Sequence, residues 1–195
     1  MAYGVVVIGS SLGGLDAVST VLAGLPEGFH LPIVIAQHRA TVPPAGGDLR
    51  ELWQRHTSLV VSDAEDKGPI VPGHVYVAPA DYHLMIEAPD LLALSTDGPV
   101  LWARPSVDVL FETAAEAYGD GVIGVILTGA SADGSQGLRA IRARGGCALV
   151  QEPSSAECDV MPRAALAATS VNHVLGLRDL GRMLRALAGV PAVAR

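Results

Sequence analysis

The segment Gly4-Val-Val-Val-Ile-Gly-Ser-Ser-Leu-Gly-Gly14 is the strongest indication of the fold class of this chain. Its four consecutive β-branched residues predict a strand over Val5–Ile8 that is buried on both faces of a parallel sheet. Apolar residues then recur at helical spacing, which predicts a helix from about Gly14 to Ala23. A strand that leads directly into a helix is the repeating unit of an α/β fold.

The turn between this strand and this helix carries a serine between two glycines. Ser11 has Gly9 two residues before it and Gly13 two residues after it, so the turn reads G-x-S-x-G. Glycines relieve crowding in such a turn, which can hold a hydroxyl beyond the end of the strand, beside the free N–H groups of a helix N-terminus. The position suits a nucleophile. An N-cap role for Ser11, or Ser10 as the nucleophile, is the alternative.

Composition limits the class of protein and its partners. The chain has 195 residues, of which 50% are hydrophobic and 17% charged, and this predicts one α/β domain over residues 1–195. A net charge of −7 argues against nucleic acid or an anionic membrane as a partner. The N-terminus has no signal-peptide pattern and no apolar run reaches membrane-spanning length, so we expect a cytoplasmic protein without membrane insertion.

The two cysteines predict neither a disulfide framework nor a zinc site. Cys147 and Cys158 stand apart, without the C-x-x-C spacing of a metal or redox motif. Cys147 lies in an apolar run and is predicted to be a small core residue. We therefore expect no metal and no cofactor.

Apolar runs alternate with helical patterns along the rest of the chain. Further strands are predicted at Leu31–Ala36, Ser58–Ser62, His74–Ala78, Val122–Leu127 and Ala148–Gln151, with an antiparallel hairpin of His83–Glu87 and Leu91–Ser95. A Pro- and Gly-rich loop at 42–47 precedes a helix in which Leu49, Leu52, Trp53 and His56 share a face. Later helices are predicted at Pro105–Tyr118, Ser135–Arg144, Pro162–Ala168 and Asp179–Ala188. This alternation predicts a mostly parallel sheet with helices on both faces.

Three reactive residue types follow predicted strands, where open α/β sheets place their functional residues. Ser11 follows the first strand, His38 follows the second, and Asp133 lies in the loop after Val122–Leu127. A serine needs an imidazole to accept its proton, and the imidazole needs a carboxylate to fix its tautomer. The three residues are therefore a candidate catalytic triad.

Other interpretations of these residues remain open. Asp133 and Gln136 fit a capping box at the start of the next helix, a role that is compatible with the triad. His38 competes with five other histidines, of which His173 would give the Ser–acid–His order of α/β-hydrolases. A dinucleotide-binding G-x-G-x-x-G would need glycine at position 11, and a phosphate-binding P-loop would need a Lys-Ser/Thr pair that is missing.

Six separated motifs together resemble the catalytic domain of the CheB family of chemotaxis protein-glutamate methylesterases. They are Ile8-Gly-Ser-Ser-Leu-Gly-Gly14, Gln37-His38, Pro72-Gly-His-Val-Tyr-Val-Ala-Pro79, Arg104-Pro-Ser-Val-Asp-Val-Leu-Phe111, Gly124-Val-Ile-Leu-Thr-Gly129 with Asp133-Gly134, and Met161-Pro162. They recur in order and span nearly the whole chain.

The resemblance implies a serine hydrolase that removes methyl groups from glutamate γ-methyl esters on the cytoplasmic domain of a chemoreceptor, and that can also deamidate receptor glutamines. The family's nucleophile, base and acid fall on Ser11, His38 and Asp133. Backbone N–H groups near Leu12 and Ala130 are candidates for the oxyanion hole. Arg104 is a candidate for positioning an acidic receptor helix, and it could equally cap a helix or pair with a surface carboxylate.

The chain departs from the family pattern at three positions near the triad. The family usually has Thr where this chain has Leu12, Met where it has Ala130, and Met where it has Arg39. These changes leave the triad whole and alter the expected shape of the substrate site. Because the first strand begins by residue 5, we also expect no receiver domain in this chain. The alternative functions are a non-catalytic module that binds a receptor or signalling partner, and a small-molecule carboxylesterase.

Overall fold

The structure is a computed structural model that describes residues 3–39 and 48–191. The Pro- and Gly-rich segment 42–47, predicted as a loop, lies outside the described residues. The strands are β1 (Val5–Ser10), β2 (Ile33–Gln37), β3 (Val60–Asp63), β4 (His74–Val77), β5 (His83–Ala88), β6 (Leu91–Ser95), β7 (Val122–Ile126), β8 (Cys147–Gln151) and β9 (His173–Leu175). The α-helices are α1 (Gly14–Ala23), α2 (Leu49–Gln54), α3 (Val107–Tyr118), α4 (Ser135–Ala143), α5 (Val160–Ala168) and α6 (Leu177–Leu187).

Within the described part of the chain, the strands form one parallel sheet and one separate hairpin. The sheet has seven strands in the order β3-β4-β2-β1-β7-β8-β9, and every neighbouring pair is parallel. Strands β5 and β6 pair with each other in the antiparallel sense. The predicted α/β fold with an antiparallel hairpin is therefore confirmed.

The central strand β1 contributes to a core on each face of the sheet. Val5 and Val7 pack into the core that contains α3, α4, α5 and the hairpin, whereas Val6 and Ile8 pack into the core that contains α1, α2 and α6. All four side chains are fully buried. A strand covered on both faces needs apolar residues at every position, which explains the unbroken β-branched run.

Several element boundaries differ from those predicted. Strand β1 continues two residues past Ile8 because Ser10 pairs in register with Gln37 of β2. Helix α2 ends at Gln54, so the predicted inclusion of His56 is wrong. Helix α3 begins at Val107 rather than Pro105, because the Ser106 hydroxyl accepts a hydrogen bond from the helix and makes Ser106 its N-cap.

None of the helices within residues 3–39 and 48–191 is long and apolar enough to cross a membrane.

Candidate active site

The register between β1 and β2 brings Ser11 and His38 to the same edge of the sheet. Ser10 and Gln37 are the last paired residues of these parallel strands, so Ser11 and His38 follow at equivalent positions. The Gln37 amide donates hydrogen bonds of 2.8 Å to the carbonyls of both Ser11 and His38. Ser10 is fully buried and its hydroxyl donates to Gln37 Oε1 at 2.6 Å, so the structure does not support Ser10 as a nucleophile.

The turn after β1 depends on its glycines in two different ways. Gly13 has a φ of +77° and is the N-cap of α1, with no side-chain hydrogen bond to the helix. The N-cap role considered for Ser11 is therefore wrong. Gly9 allows close packing, because a Cβ at that position would lie 2.2 Å from Cγ1 of Val107.

Asp133 lies beside His38 and receives four hydrogen bonds. Its Oδ2 atom is 2.6 Å from His38 Nε2 and accepts from the backbone N–H of Val107 at 2.7 Å. Its Oδ1 atom accepts from the Ser106 hydroxyl at 2.8 Å and from the backbone N–H of Asp108 at 2.9 Å. The carboxylate thus lies at the positive N-terminus of α3.

The prediction that Asp133 and Gln136 form a capping box at the start of α4 is wrong. Helix α4 begins after Gly134, which has a positive φ, and no side chain caps it. Asp133 instead accepts from the first N–H groups of α3, which come from a distant part of the sequence. Local spacing could not reveal this partner.

The surroundings of Asp133 keep it ionised although it is buried. Burial raises the pKa of this carboxyl, but the hydrogen bonds from His38 and from the N–H groups of Asp108 and Val107 lower it more, so its pKa is below the ordinary value. An ionised Asp133 can hold His38 in one tautomer and stabilise its protonated form. Since Nε2 faces Asp133, Nδ1 is the ring nitrogen of His38 that is left free, and among the described residues neither it nor the Ser11 hydroxyl has a hydrogen-bond partner.

Ser11 and His38 line one cavity of about 590 Å³ together with Ala130 and Arg104. Among the described residues, the backbone N–H groups of Leu12 and Ala130 have no hydrogen-bond acceptor, whereas that of Ser11 donates to the Thr128 carbonyl at 3.0 Å. The first two groups are therefore free to donate a hydrogen bond, and Ala130 is one of the residues that line the cavity. The alternative base His173 begins the edge strand β9, three strands from β1, and does not line this cavity.

Arg104 lines the cavity but its guanidinium is engaged by neighbouring protein groups. Its Nε donates to Asp81 Oδ1 at 3.0 Å, and Nη1 donates to the carbonyls of Thr96 and Asp97 at 2.8 and 3.0 Å. This geometry matches the predicted alternative of a pair with a surface carboxylate. Contact with an acidic substrate would have to compete with Asp81.

Three further residues shape the site, and two of them, Ser106 and Gln37, were not identified from the sequence as site residues. Ser106 donates to the Asp133 carboxylate, and Gln37 donates to the backbone carbonyl of Ser11. Both residues lie within motifs that were quoted only for the family resemblance. Arg39 lines the cavity, and its Nη2 donates to the Ala78 carbonyl at 2.8 Å. Burial lowers the pKa of Arg39, against the opposing effect of the Asp63 and Asp48 charges. Within the described residues no cluster of His, Cys, Asp or Glu could hold a metal ion.

Comparisons with known proteins identify the family. The family model described as CheB methylesterase matches residues 6–184. A relative from Leptospira interrogans, whose name provisionally assigns both methylesterase and glutaminase activity, is 46% identical over 183 residues, which is 94% of each chain. Protein-glutamate methylesterase/protein-glutamine glutaminase 2 from Anaeromyxobacter dehalogenans is 40% identical over 183 residues, and the match covers 94% of this chain and 53% of that relative.

A solved structure agrees with these matches. The catalytic domain of Thermotoga maritima CheB methylesterase superposes with a TM-score of 0.88 at 31% identity, and the match covers 96% of this chain and 100% of that chain. Family model, relatives and solved structure agree over nearly the same residues, and the chain belongs to the CheB methylesterase family.

Proposed function

We propose that this protein hydrolyses the γ-methyl esters of glutamate residues on the cytoplasmic domain of a chemoreceptor, with its 195 residues acting as one catalytic domain. Ser11 is the nucleophile, His38 the general base and Asp133 the acid that orients it. The observation that carries the proposal is the 2.6 Å contact between the buried Asp133 and His38, a residue that lines the same cavity as Ser11. The names of the relatives support glutamate methyl esters on a protein as the substrate class, and the chemoreceptor as the carrier follows from the family resemblance.

The reaction proceeds in two acyl-transfer steps. Ser11 Oγ attacks the ester carbonyl while His38 accepts its proton, and the N–H groups of Leu12 and Ala130 stabilise the oxyanion. The intermediate collapses, and His38 donates the proton to the leaving methoxide, so methanol departs. Water then attacks the acyl-enzyme, again with His38 as base, and releases the glutamate carboxylate and Ser11.

Deamidation of glutamine is a second candidate activity, since the names of both relatives pair it with methylesterase activity. The same acyl-enzyme would form, with ammonia leaving in place of methanol. A non-catalytic binding module remains the contrasting hypothesis. It gives no role to a carboxylate held ionised against a cavity-lining histidine.

The test is methanol release from a methylated chemoreceptor cytoplasmic fragment. We expect release by the wild type, and a loss of about 10³-fold or more in Ser11→Ala and His38→Ala because each removes a triad member. His173→Ala is the matched control and should retain wild-type activity, since His173 lies on the edge strand away from the cavity. Equal release by Ser11→Ala would refute the nucleophile. A folded wild type without any release would favour the binding module or another ester.

A further inference from the structure

Residues 100–103 form a two-residue turn in an unusual conformation. Val100 and Ala103 exchange two backbone hydrogen bonds, from Val100 N to Ala103 O at 3.1 Å and from Ala103 N to Val100 O at 2.9 Å. Leu101 and Trp102 between them have φ values of +46° and +67°. Positive φ at both central positions is typical of a type I′ turn, which favours Asn-Gly.

Two large apolar residues at these positions are unfavourable for the isolated protein. A side chain with a Cβ is strained in the left-handed region, and Leu or Trp gains there no compensating local hydrogen bond. Burial does not compensate either, since Leu101 is 54% exposed and Trp102 is 97% exposed. Backbone strain that no folding contact compensates is typical of residues with a function in binding or catalysis.

The turn lies at the candidate active site. Leu101 and Trp102 both line the cavity that holds Ser11 and His38. Two other exposed apolar residues are sequence neighbours of residues that line this cavity, namely Leu12 after Ser11 and Tyr82 after Asp81. We call this group of residues the apolar rim, which consists of Leu12, Tyr82, Leu101 and Trp102. A single glutamyl ester is too small to contact an extended rim. A folded polypeptide that presents the ester is large enough to contact it.

We infer that the Leu101–Trp102 turn is a docking element for the polypeptide that carries the ester, and that it contacts an apolar face beside the esterified glutamate. The inference rests on the proposed function and adds a specificity determinant to it. An exposed Trp is the residue type that most often dominates a protein–protein interface, because it buries a large area with few rotatable bonds. Because Leu101 and Trp102 line the same cavity as Ser11, a polypeptide that places its ester at Ser11 would lie against them, and the substrate polypeptide is therefore the occupant.

The first experiment compares Trp102→Ala with the wild type on two substrates, a methylated receptor fragment and p-nitrophenyl acetate. We expect the ratio of kcat/KM for the fragment to kcat/KM for the small ester to fall by about tenfold or more, mainly through KM. The matched control is Val60→Ala, which removes a side chain that is 51% exposed on β3 and lies outside the cavity lining. Its ratio should equal that of the wild type.

The second variant separates docking from folding. Leu101→Asn combined with Trp102→Gly installs the sequence that a type I′ turn favours, so the melting temperature should rise while the substrate ratio falls as in Trp102→Ala. A turn with only a structural role would instead leave the ratio unchanged.

Each remaining outcome decides between the two proposals. Methanol release by the wild type with an unchanged ratio in Trp102→Ala overturns the docking inference and leaves the proposed function standing. Equal losses of kcat/KM on both substrates also overturn the inference. If the wild type self-associates, Trp102→Ala abolishes that association and the ratio of the two kcat/KM values stays constant, the turn contacts a second copy of this chain and the inference is again overturned. No methanol release by the folded wild type overturns the proposed function, and the docking inference with it.

Discussion

Asp108 is a second buried carboxyl directly beside the carboxylate of Asp133. Its backbone N–H donates to Asp133, and its own Oδ1 accepts from the backbone N–H of Gly137 at 2.7 Å. Burial, followed by the neighbouring charge of Asp133, raises the pKa of Asp108 to about 6. The site therefore holds two carboxyl groups whose surroundings shift their pKa values in opposite directions.

The raised pKa makes a prediction about stability and pH. An unfolded Asp titrates near pH 4, so between about pH 4 and pH 6 the native state binds this proton more tightly than the unfolded state. Stability conferred by the neutral Asp108 is therefore lost as the pH rises through this window. Asp108→Asn keeps the acceptor for Gly137 and cannot ionise. We expect it to increase the free energy of unfolding at pH 7 by about 1–3 kcal/mol.

Urea unfolding of both proteins between pH 4.5 and pH 7.5 measures the difference. The stability of the wild type should fall relative to Asp108→Asn as the pH increases, and the two should differ least at the acid end. Parallel curves across the whole range would contradict the raised pKa. The lowered pKa of Asp133 acts in a different window, because its contribution is present above pH 4 and is lost as the pH falls further.

The contact between strand β1 and the start of helix α3 positions the candidate acid. Val107 packs against Gly9 so closely that a Cβ on Gly9 would lie 2.2 Å from Val107 Cγ1 and 3.1 Å from Val107 Cβ. The same residue donates its backbone N–H to Asp133. The absence of a side chain at Gly9 thus lets α3 approach the sheet and orient the carboxylate.

Gly9→Ala should therefore destabilise the fold and reduce activity together. Overpacking of this kind costs about 1–3 kcal/mol, and the displaced α3 would loosen its hydrogen bonds to Asp133. Val107→Ala removes the clashing γ-carbons, so the double variant should be more stable than the sum of the single effects predicts. Urea unfolding of the four proteins gives this coupling energy.

Gly28→Ala is the control for the glycine substitution, since a Cβ at Gly28 meets no atom within 4 Å. It should leave stability within about 0.5 kcal/mol of the wild type. Strict additivity of Gly9→Ala and Val107→Ala would show that this contact does not set the position of α3.

The two cores of the molecule share the strands of one sheet, which should make them unfold together. Leu110 is fully buried among α3 and its neighbours on one face, and Trp53 is fully buried on the opposite face. Both cores include alternate residues of β1, so neither has an independent scaffold. This arrangement favours a single cooperative transition.

Leu110→Ala tests this cooperativity across the sheet. The substitution should cost about 2–5 kcal/mol and should shift the unfolding transition of Trp53, although Trp53 is on the other face. In a Trp102→Phe background, Trp53 is the remaining tryptophan, so its fluorescence can be compared with far-UV circular dichroism in urea. A shift in circular dichroism without an equal shift in fluorescence would contradict a single transition.

Local patterns along the chain are enough to predict the elements and the reactive residue types. Unbroken β-branched runs indicate strands that are buried on both faces, because such a strand needs an apolar residue at every position. The G-x-S-x-G turn places a serine after the first of these strands. His38 and Asp133 were identified as residues that follow strands for the same reason. The start of α3 was less predictable, because two adjacent residues are both helix-start signals. Pro105 favours a start at its own position, whereas the Ser106 hydroxyl caps the helix and makes Val107 its first residue.

Long-range packing determines which of these residues meet and in what protonation state. The order β2-β1-β7 places the ends of three strands side by side, a result of crossovers and register that no local pattern encodes. The helix that binds Asp133 comes from a distant segment, and burial together with those hydrogen bonds sets its pKa. The left-handed turn of Leu101 and Trp102 runs against local preference, so the local sequence pattern does not predict it beside the cavity.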